Sequence, residues 1–263
     1  MITYRRLLWI VSIAIVAFLI LPILIILIYA FDVSNVQIWP IPGFSLRWFA
    51  DTINDSEVRD AFLLSAEIAA LATLIATIIG TLAALATNRL RPIGREAMTL
   101  MLTLPIALPG ILTGMALNAY FVYFGQPLSW ISIVIGHTTF CSVIVYNNVM
   151  ARLRRLPPSL LEASADLGAS PFGGFRRITL PLIASAIRAG ALLSFALSFD
   201  EVIVTTFTAG TETTLPLWIF GAIRLGQKLP EVNVVVFGVI ALTVVPVLLA
   251  QNLAGDEGRR PAG

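Results

Sequence analysis

The chain has 263 residues, 58% hydrophobic and 12% charged, with a mean hydropathy of +0.91. A water-soluble domain of that size needs many more solvating groups at its surface, so a soluble enzyme is excluded. The 17 basic and 15 acidic residues leave a net charge of +2, and the basic ones cluster between apolar runs rather than on a face suited to nucleic acid. One cysteine, Cys141, and one histidine, His137, supply neither a disulfide framework nor a zinc ligand set, so no metal site is expected.

A bilayer core of about 30 Å takes roughly 20 apolar helical residues, and inside lipid only helices or closed barrels pair every backbone group. Residues 7–31 carry no charge and follow Arg5 and Arg6; with no small-x-small cleavage site after them, they are expected to be a retained first span. A second span is expected over 61–87, with Glu67 inside its outer end. Residues 97–151 are 55 consecutive uncharged positions, too many for one helix. The break at Gly125-Gln126-Pro127 divides them into spans over 97–123 and 129–151. Pro181 suits the first turn of a fifth span over 181–207, and a sixth runs over 232–254. The expectation is an all-α membrane protein with a single domain, 1–263, and six spans.

Loop charge orients it, because Lys and Arg near short loops stay cytoplasmic. With the N-terminus inside, residues 1–6, 88–96, 152–177 and 253–263 hold 12 basic and 5 acidic residues, against 4 and 9 in 32–60 and 200–231. Both termini are therefore expected in the cytoplasm. The 152–180 loop is the longest cytoplasmic connection. In it, Pro157-Pro158 precede an amphipathic stretch in which Ser159 and Glu162 have capping-box spacing, and Gly168 follows as a stop.

Glu162-Ala163-Ser164, then Gly168, then Ile178, Leu180 and Pro181 resemble the cytoplasmic Glu-Ala-Ala loop of binding-protein-dependent, ATP-driven importers, with Ser164 in place of the second alanine. The spacings are three residues from triplet to glycine, nine from glycine to isoleucine and one more before Leu-Pro. Pro105, Pro109 and Gly114, His137 with Phe140, Ala151-Arg152, Ser198-Phe199-Asp200-Glu201, Leu215-Pro216 and Pro230-Glu231-Val232-Asn233 further resemble the second permease subunit of spermidine/putrescine-type importers. The resemblance implies the type I importer permease fold and a place in the bacterial inner membrane. It implies as partners a second permease subunit, two ATP-binding subunits, an external solute-binding protein and membrane lipid, with no nucleic acid. ATP and Mg would be bound by the ATPase partners and no cofactor by this chain. It also implies that the loop around Glu162, Ala163, Ser164, Asp166 and Gly168 couples to those ATPases. Relatives of this architecture that carry phosphonates, iron(III), opines or amino acids leave the substrate class open.

The residues themselves point to a second site. Counting from Pro181 at 1.5 Å per residue, Asp200 and Glu201 lie about 30 Å up the fifth helix, near the outer leaflet. At 100° per residue, Gly190, Ser194, Ser198, Glu201 and Thr205 fall in one sector roughly 80° wide, a polar stripe that should face protein or a water path. Glu201, Asp200, Ser194, Ser198 and Trp218 are the candidates for the translocation path. A carboxylate there would offset, transiently, the desolvation of a passing ammonium group, and Trp218 with Phe220 offers an aromatic face for it. The alternative for this run, too short to cross and with Pro216 suited to a helix start, is an aromatic belt or a re-entrant gate segment. The alternative for the acids is that they cap structure at the interface. His137 is expected to bond across helices rather than relay protons. The one lysine, Lys228, is followed by Leu229, so no phosphate-binding loop of the Lys-Ser or Lys-Thr type exists and the chain is not expected to hydrolyse ATP. A secondary transporter is the rival reading, and it leaves the Glu-Ala-Ser loop unexplained.

Overall fold

The computed structural model describes residues 2–157, 159–166 and 168–242. Helices run in the order α1 (Ile2–Tyr29), α2 (Arg47–Asn54), α3 (Ser56–Asn88), α4 (Pro92–Ala107), α5 (Gly110–Tyr123), α6 (Trp130–Leu153), α7 (Ser159–Asp166), α8 (Pro171–Gly174), a π-helical turn Phe175–Thr179, α9 (Leu180–Phe199), α10 (Ile203–Thr208) and α11 (Leu215–Leu225). Leu229–Leu242 follows as α12. Among the described residues the one β-pairing is an isolated bridge between Asp32 and Phe44.

Among the described residues, four helical stretches are long and apolar enough to cross a membrane: Tyr4–Tyr29, Ser56–Asn88, Trp130–Leu153 and Pro171–Phe199. In place of one helix over 97–123, the chain forms α4 and α5, bent by 94° as a broken span or re-entrant loop. The break has a local cause. Pro109 lacks an N–H and disfavours helical geometry at Leu108, which is extended at φ −82° and ψ 141°. In place of one helix over 181–207, α9 stops at Phe199 and α10 begins at Ile203. Of the expected sixth span, residues 243–254 lie outside the described residues.

The chain divides into two compact units, one from Asp60 to Trp218 and one formed by the segments that flank it. In the first, α6 is the buried centre. Val145, Tyr146, Val149, Met150 and Leu153 pack with Ala84 of α3 and Ile183 of α9. Small residues set the spacing. Ala69, Ala72, Ala76 and Ala84 of α3 are fully buried, and a Cβ on Gly80 would lie 2.5 Å from the Ser142 carbonyl oxygen and 2.8 Å from Val145 Cβ. From α9, a Cβ on Gly190 would lie 3.0 Å from Val145 Cα. One residue of α6, Val145, is thus gripped by glycines on two helices, the close backbone approach by which apolar helices gain dispersion contacts in lipid.

In the flanking unit, Phe31, Phe49 and Phe237 pack with ring centroids 5.0–5.5 Å apart, beside Trp48, whose indole N–H donates to the Asp32 carbonyl at 2.9 Å. Asp55 accepts the Glu57 N–H at 2.9 Å and so caps α3. Lys228, in left-handed backbone at φ 51°, donates from Nζ to Asp55 Oδ2 and to Glu57 Oε2, each at 2.8 Å. The hydrogen bond from Lys228 holds the Asp55 carboxyl below its ordinary value, and the bond to Asp55 in turn raises Lys228. The depressed carboxyl contributes stability above the ordinary Asp range and loses it as pH falls through its lowered pKa. The raised ammonium contributes below the ordinary Lys range and loses it as pH rises through its raised pKa. The clasp is solvent-accessible, with Lys228 38% exposed, so its worth is under about 1 kcal/mol. Lys228→Met should therefore lower the thermal midpoint by a few degrees at most near neutral pH and low salt. The difference from wild type should vanish in high salt, and at pH values low enough to protonate Asp55. A difference that persisted under both conditions would show that the charges are not its source.

Candidate functional site

Two regions gather the residues singled out above. The first is the connection from α6 to α9. Arg152 at the end of α6 donates from Nε to the Leu182 carbonyl at 2.9 Å, closing the two ends of the loop. Between them stands α7, which contains Glu162, Ala163, Ser164 and Asp166. Ala163 and Asp166 are exposed and Ser164 is buried. Glu162 is helical, and its side chain, with the expected capping box, lies outside the described residues. Gly168 takes φ 79°, and the Ala169 N–H donates to the Ser164 carbonyl at 3.0 Å. That six-to-one bond over a left-handed glycine is a Schellman stop, and a Cβ-bearing residue would resist the conformation. Ser170 then starts α8 by accepting the Gly173 N–H at 3.1 Å. The result is a short, sharply closed helix on a strapped loop.

The second region is the α9–α10 break. Asp200, Glu201, Val202 and Ile203 join Ile144 of α6 and Leu193, Ala196 and Leu197 of α9 around a cleft of about 560 Å³. Both acids line it; Asp200 is exposed and Glu201 half-buried. Glu201 has a structural task as well, since Oε1 accepts the Val204 N–H at 2.9 Å and its carbonyl accepts the Thr205 hydroxyl at 2.7 Å. Ser194 and Ser198 are buried, at 0% and 3% exposure. Ser194 donates to the Cys141 carbonyl at 3.1 Å, and Ser198 Oγ lies 2.8 Å from His137 Nδ1. The stripe therefore faces protein, and its serines are engaged by α6. Trp218 is buried in the first turn of α11, with its backbone N–H on the Thr214 carbonyl at 2.8 Å. It does not line the cleft.

His137 bonds across helices as expected, reaching Thr205 Oγ1 from Nε2 at 2.8 Å as well as Ser198. Sequence reasoning missed two further clamps on α10. Asn118 of α5 donates from Nδ2 to the Phe207 carbonyl, and Ser132 of α6 donates to the Thr208 carbonyl, each at 2.7 Å. Asn118, a polar amide inside an uncharged run, was the signal that could have found the first. Lone polar side chains in apolar helices find partners because an unmet donor there is costly.

Residues 76–255 match the family described as binding-protein-dependent transport system inner membrane component. The chain is 38% identical over 225 residues to the putrescine transport system permease protein PotI of Escherichia coli K12, covering 82% of this chain and 79% of that protein. It is 35% identical over 252 residues to the spermidine/putrescine transport system permease protein PotC of the same strain, covering 95% and 94%. The fold is similar to that of a chain in the crystal structure of a bacterial ABC transporter involved in alginate import, with a TM-score of 0.66 and 14% identity, covering 96% of this chain and 97% of that one. The helical architecture is thus that of ABC transporter permeases. The chain belongs to the binding-protein-dependent transport system inner membrane component family, and it is a multi-pass transport permease of the inner membrane.

Proposed function

We propose that this chain is a permease subunit carrying polyamines, putrescine or spermidine, across the inner membrane in an ATP-driven importer. The observation that carries the reading is the 35–38% identity to putrescine and spermidine/putrescine permeases over most of the chain. The acid-lined cleft supports it, because a polyamine's ammonium groups need fixed negative charge when they leave water and yet must be released. In this reading Glu201 offers its second carboxylate oxygen to the cation and Asp200 forms the outer rim. Ser194 and Ser198 hold α9 to α6, and Trp218 packs α11. Six spans place both termini in the cytoplasm. A second permease subunit completes the path, and an external binding protein delivers substrate. Two ATP-binding subunits bind ATP and Mg, hydrolyse the nucleotide and act on α7 through Glu162, Ala163, Ser164, Asp166 and Gly168, leaving this chain neither cofactor nor hydrolytic role.

The test is energised uptake of labelled putrescine and spermidine by cells with and without the gene, competed by unlabelled amino acids. Uptake should fall to background without the gene, and amino acids should not compete. Glu201→Gln keeps an oxygen for the Val204 N–H and removes only the charge. It should raise the KM for polyamine about tenfold. Unchanged uptake in cells lacking the gene sinks the polyamine assignment, and an unchanged KM in the variant sinks the path role of Glu201.

A further inference from the structure

At the break between α9 and α10 the Asp200 N–H still bonds the Ala196 carbonyl at 3.3 Å and the Val202 carbonyl accepts the Thr206 N–H at 2.9 Å. Glu201 between them belongs to neither helix, yet it must present its carboxylate at one place. His137 sits opposite that break, 1% exposed, and touches both sides of it: Ser198 in the last turn of α9 and Thr205 in the first turn of α10. The directions of these bonds follow from proton counting. The Thr205 hydroxyl has one proton, and it goes to the Glu201 carbonyl at 2.7 Å. Thr205 Oγ1 must therefore accept from His137, which places a proton on Nε2. Ser198 Oγ makes no other hydrogen bond among the described residues, so its proton goes to Nδ1. Ser198, His137, Thr205 and the Glu201 backbone thus form one directed chain, in which each donor is matched to an acceptor and no member can rotate without orphaning its neighbour.

We propose that His137 is a positioning residue for substrate passage: locked as its Nε2–H tautomer, it clips α10 to the end of α9 and thereby fixes the Glu201 carboxylate at the cleft. This rests on the reading of Glu201 as the path carboxylate. Phenylalanine in place of His137 keeps an aromatic ring and removes both nitrogens, which orphans the Ser198 hydroxyl and takes from Thr205 Oγ1 the bond it accepts, leaving its donation to the Glu201 carbonyl. Glutamine keeps one acceptor and one donor.

The experiment measures concentration-dependent putrescine uptake by cells carrying the whole transporter with His137→Phe, His137→Gln, Glu201→Gln or the His137→Phe/Glu201→Gln pair, with membrane levels checked by immunoblot. His137→Phe should raise KM about five- to tenfold, the size of a lost buried hydrogen bond or two, with Vmax per inserted molecule little changed. His137→Gln should recover most of that loss. In the Glu201→Gln background His137→Phe should add nothing further, because the group it positions is already gone. An unchanged KM for His137→Phe beside an impaired Glu201→Gln overturns the positioning role alone, as do effects that simply multiply in the double variant. A silent Glu201→Gln overturns the path reading and this proposal with it. Should His137→Phe fail to reach the membrane, Thr205→Val against Thr205→Ser makes the same comparison from the other end of the chain of bonds. The valine variant should lose affinity and the serine variant keep it, and equal KM values for the two overturn the proposal.

Discussion

Replacing Gly80 with leucine is expected to remove most of the protein from the membrane fraction, a far larger stability effect than breaking the Lys228 clasp. The atoms that a Cβ would meet are backbone as well as side chain: the Ser142 carbonyl oxygen at 2.5 Å, Val145 Cβ at 2.8 Å and the Tyr146 amide nitrogen at 3.0 Å. Backbone on a buried helix cannot swing aside, so α3 and α6 must separate along their length. That separation also loosens the contact of α6 with α9 through Gly190, since both glycines close on Val145. Overpacking of a tight core costs about 1–3 kcal/mol even where neighbours can adjust, and in this contact the full side chain follows the Cβ into the same space. Gly94→Ala in α4 is the matched control. Its new Cβ would meet only Leu90 side-chain atoms, at 3.8 and 3.9 Å, and replacing a helical glycine gains up to about 1 kcal/mol. Immunoblots of membranes and thermal melting of the solubilised transporter decide the matter. Wild-type levels and an unshifted melting midpoint for Gly80→Leu would mean that α3 and α6 do not meet at Gly80.

Charge reversal at Glu162 is expected to abolish uptake while leaving the protein inserted, the largest effect on function. The helix that carries it is short, stopped by the left-handed Gly168 and its bond from Ala169 to Ser164, and strapped at its base by Arg152 on Leu182. In the proposed coupling role such a helix would move as a body, so that a push on α7 would be passed to α6 and α9 rather than absorbed. In the proposed coupling role, a lysine at this position sets a like or unpaired charge into a protein–protein contact, which costs about 2–5 kcal/mol, or at least about thirtyfold in productive association. Reconstituted transporter carrying Glu162→Lys should hydrolyse ATP without the stimulation that substrate-loaded binding protein gives, and should accumulate no substrate. Normal uptake would count against the coupling assignment. Gly168→Val should weaken coupling by another route, through loss of the turn rather than of the charge.

The two sites are legible in the sequence to different depths. The loop around Glu162 is local: its proline start, its glycine stop and its spacing to Leu180-Pro181 all lie within a few turns, so the chain alone reveals the element and its ends. The polar face of α9 is legible as a stripe, because helical periodicity needs only one helix. What the stripe touches is not. His137 meets Ser198 across 61 residues and Thr205 across 68, and no periodicity within one segment encodes such a pairing. Periodicity also carries the stripe through Thr205 on one continuous helix, whereas the chain breaks at Asp200–Val202 and α10 is held from outside by Asn118, Ser132 and His137.

Composition and apolar run length by themselves determined that this is a helical membrane protein, because lipid leaves the backbone no other way to satisfy its polar groups in segments of this kind. The residues around Glu162, Gly168 and Pro181 carried the resemblance to the family that the match over residues 76–255 shows, and they could do so because they record a local turn and helix that the chain forms from its own neighbours. Only the tertiary structure decided that Gly80 and Gly190 close on one residue of α6. It alone decided that α4 and α5 bend by 94°, and that Glu201 both lines a cleft and caps a helix. These are properties of surfaces brought together from distant segments. Their free energy comes from packing and paired donors that do not exist until the helices meet.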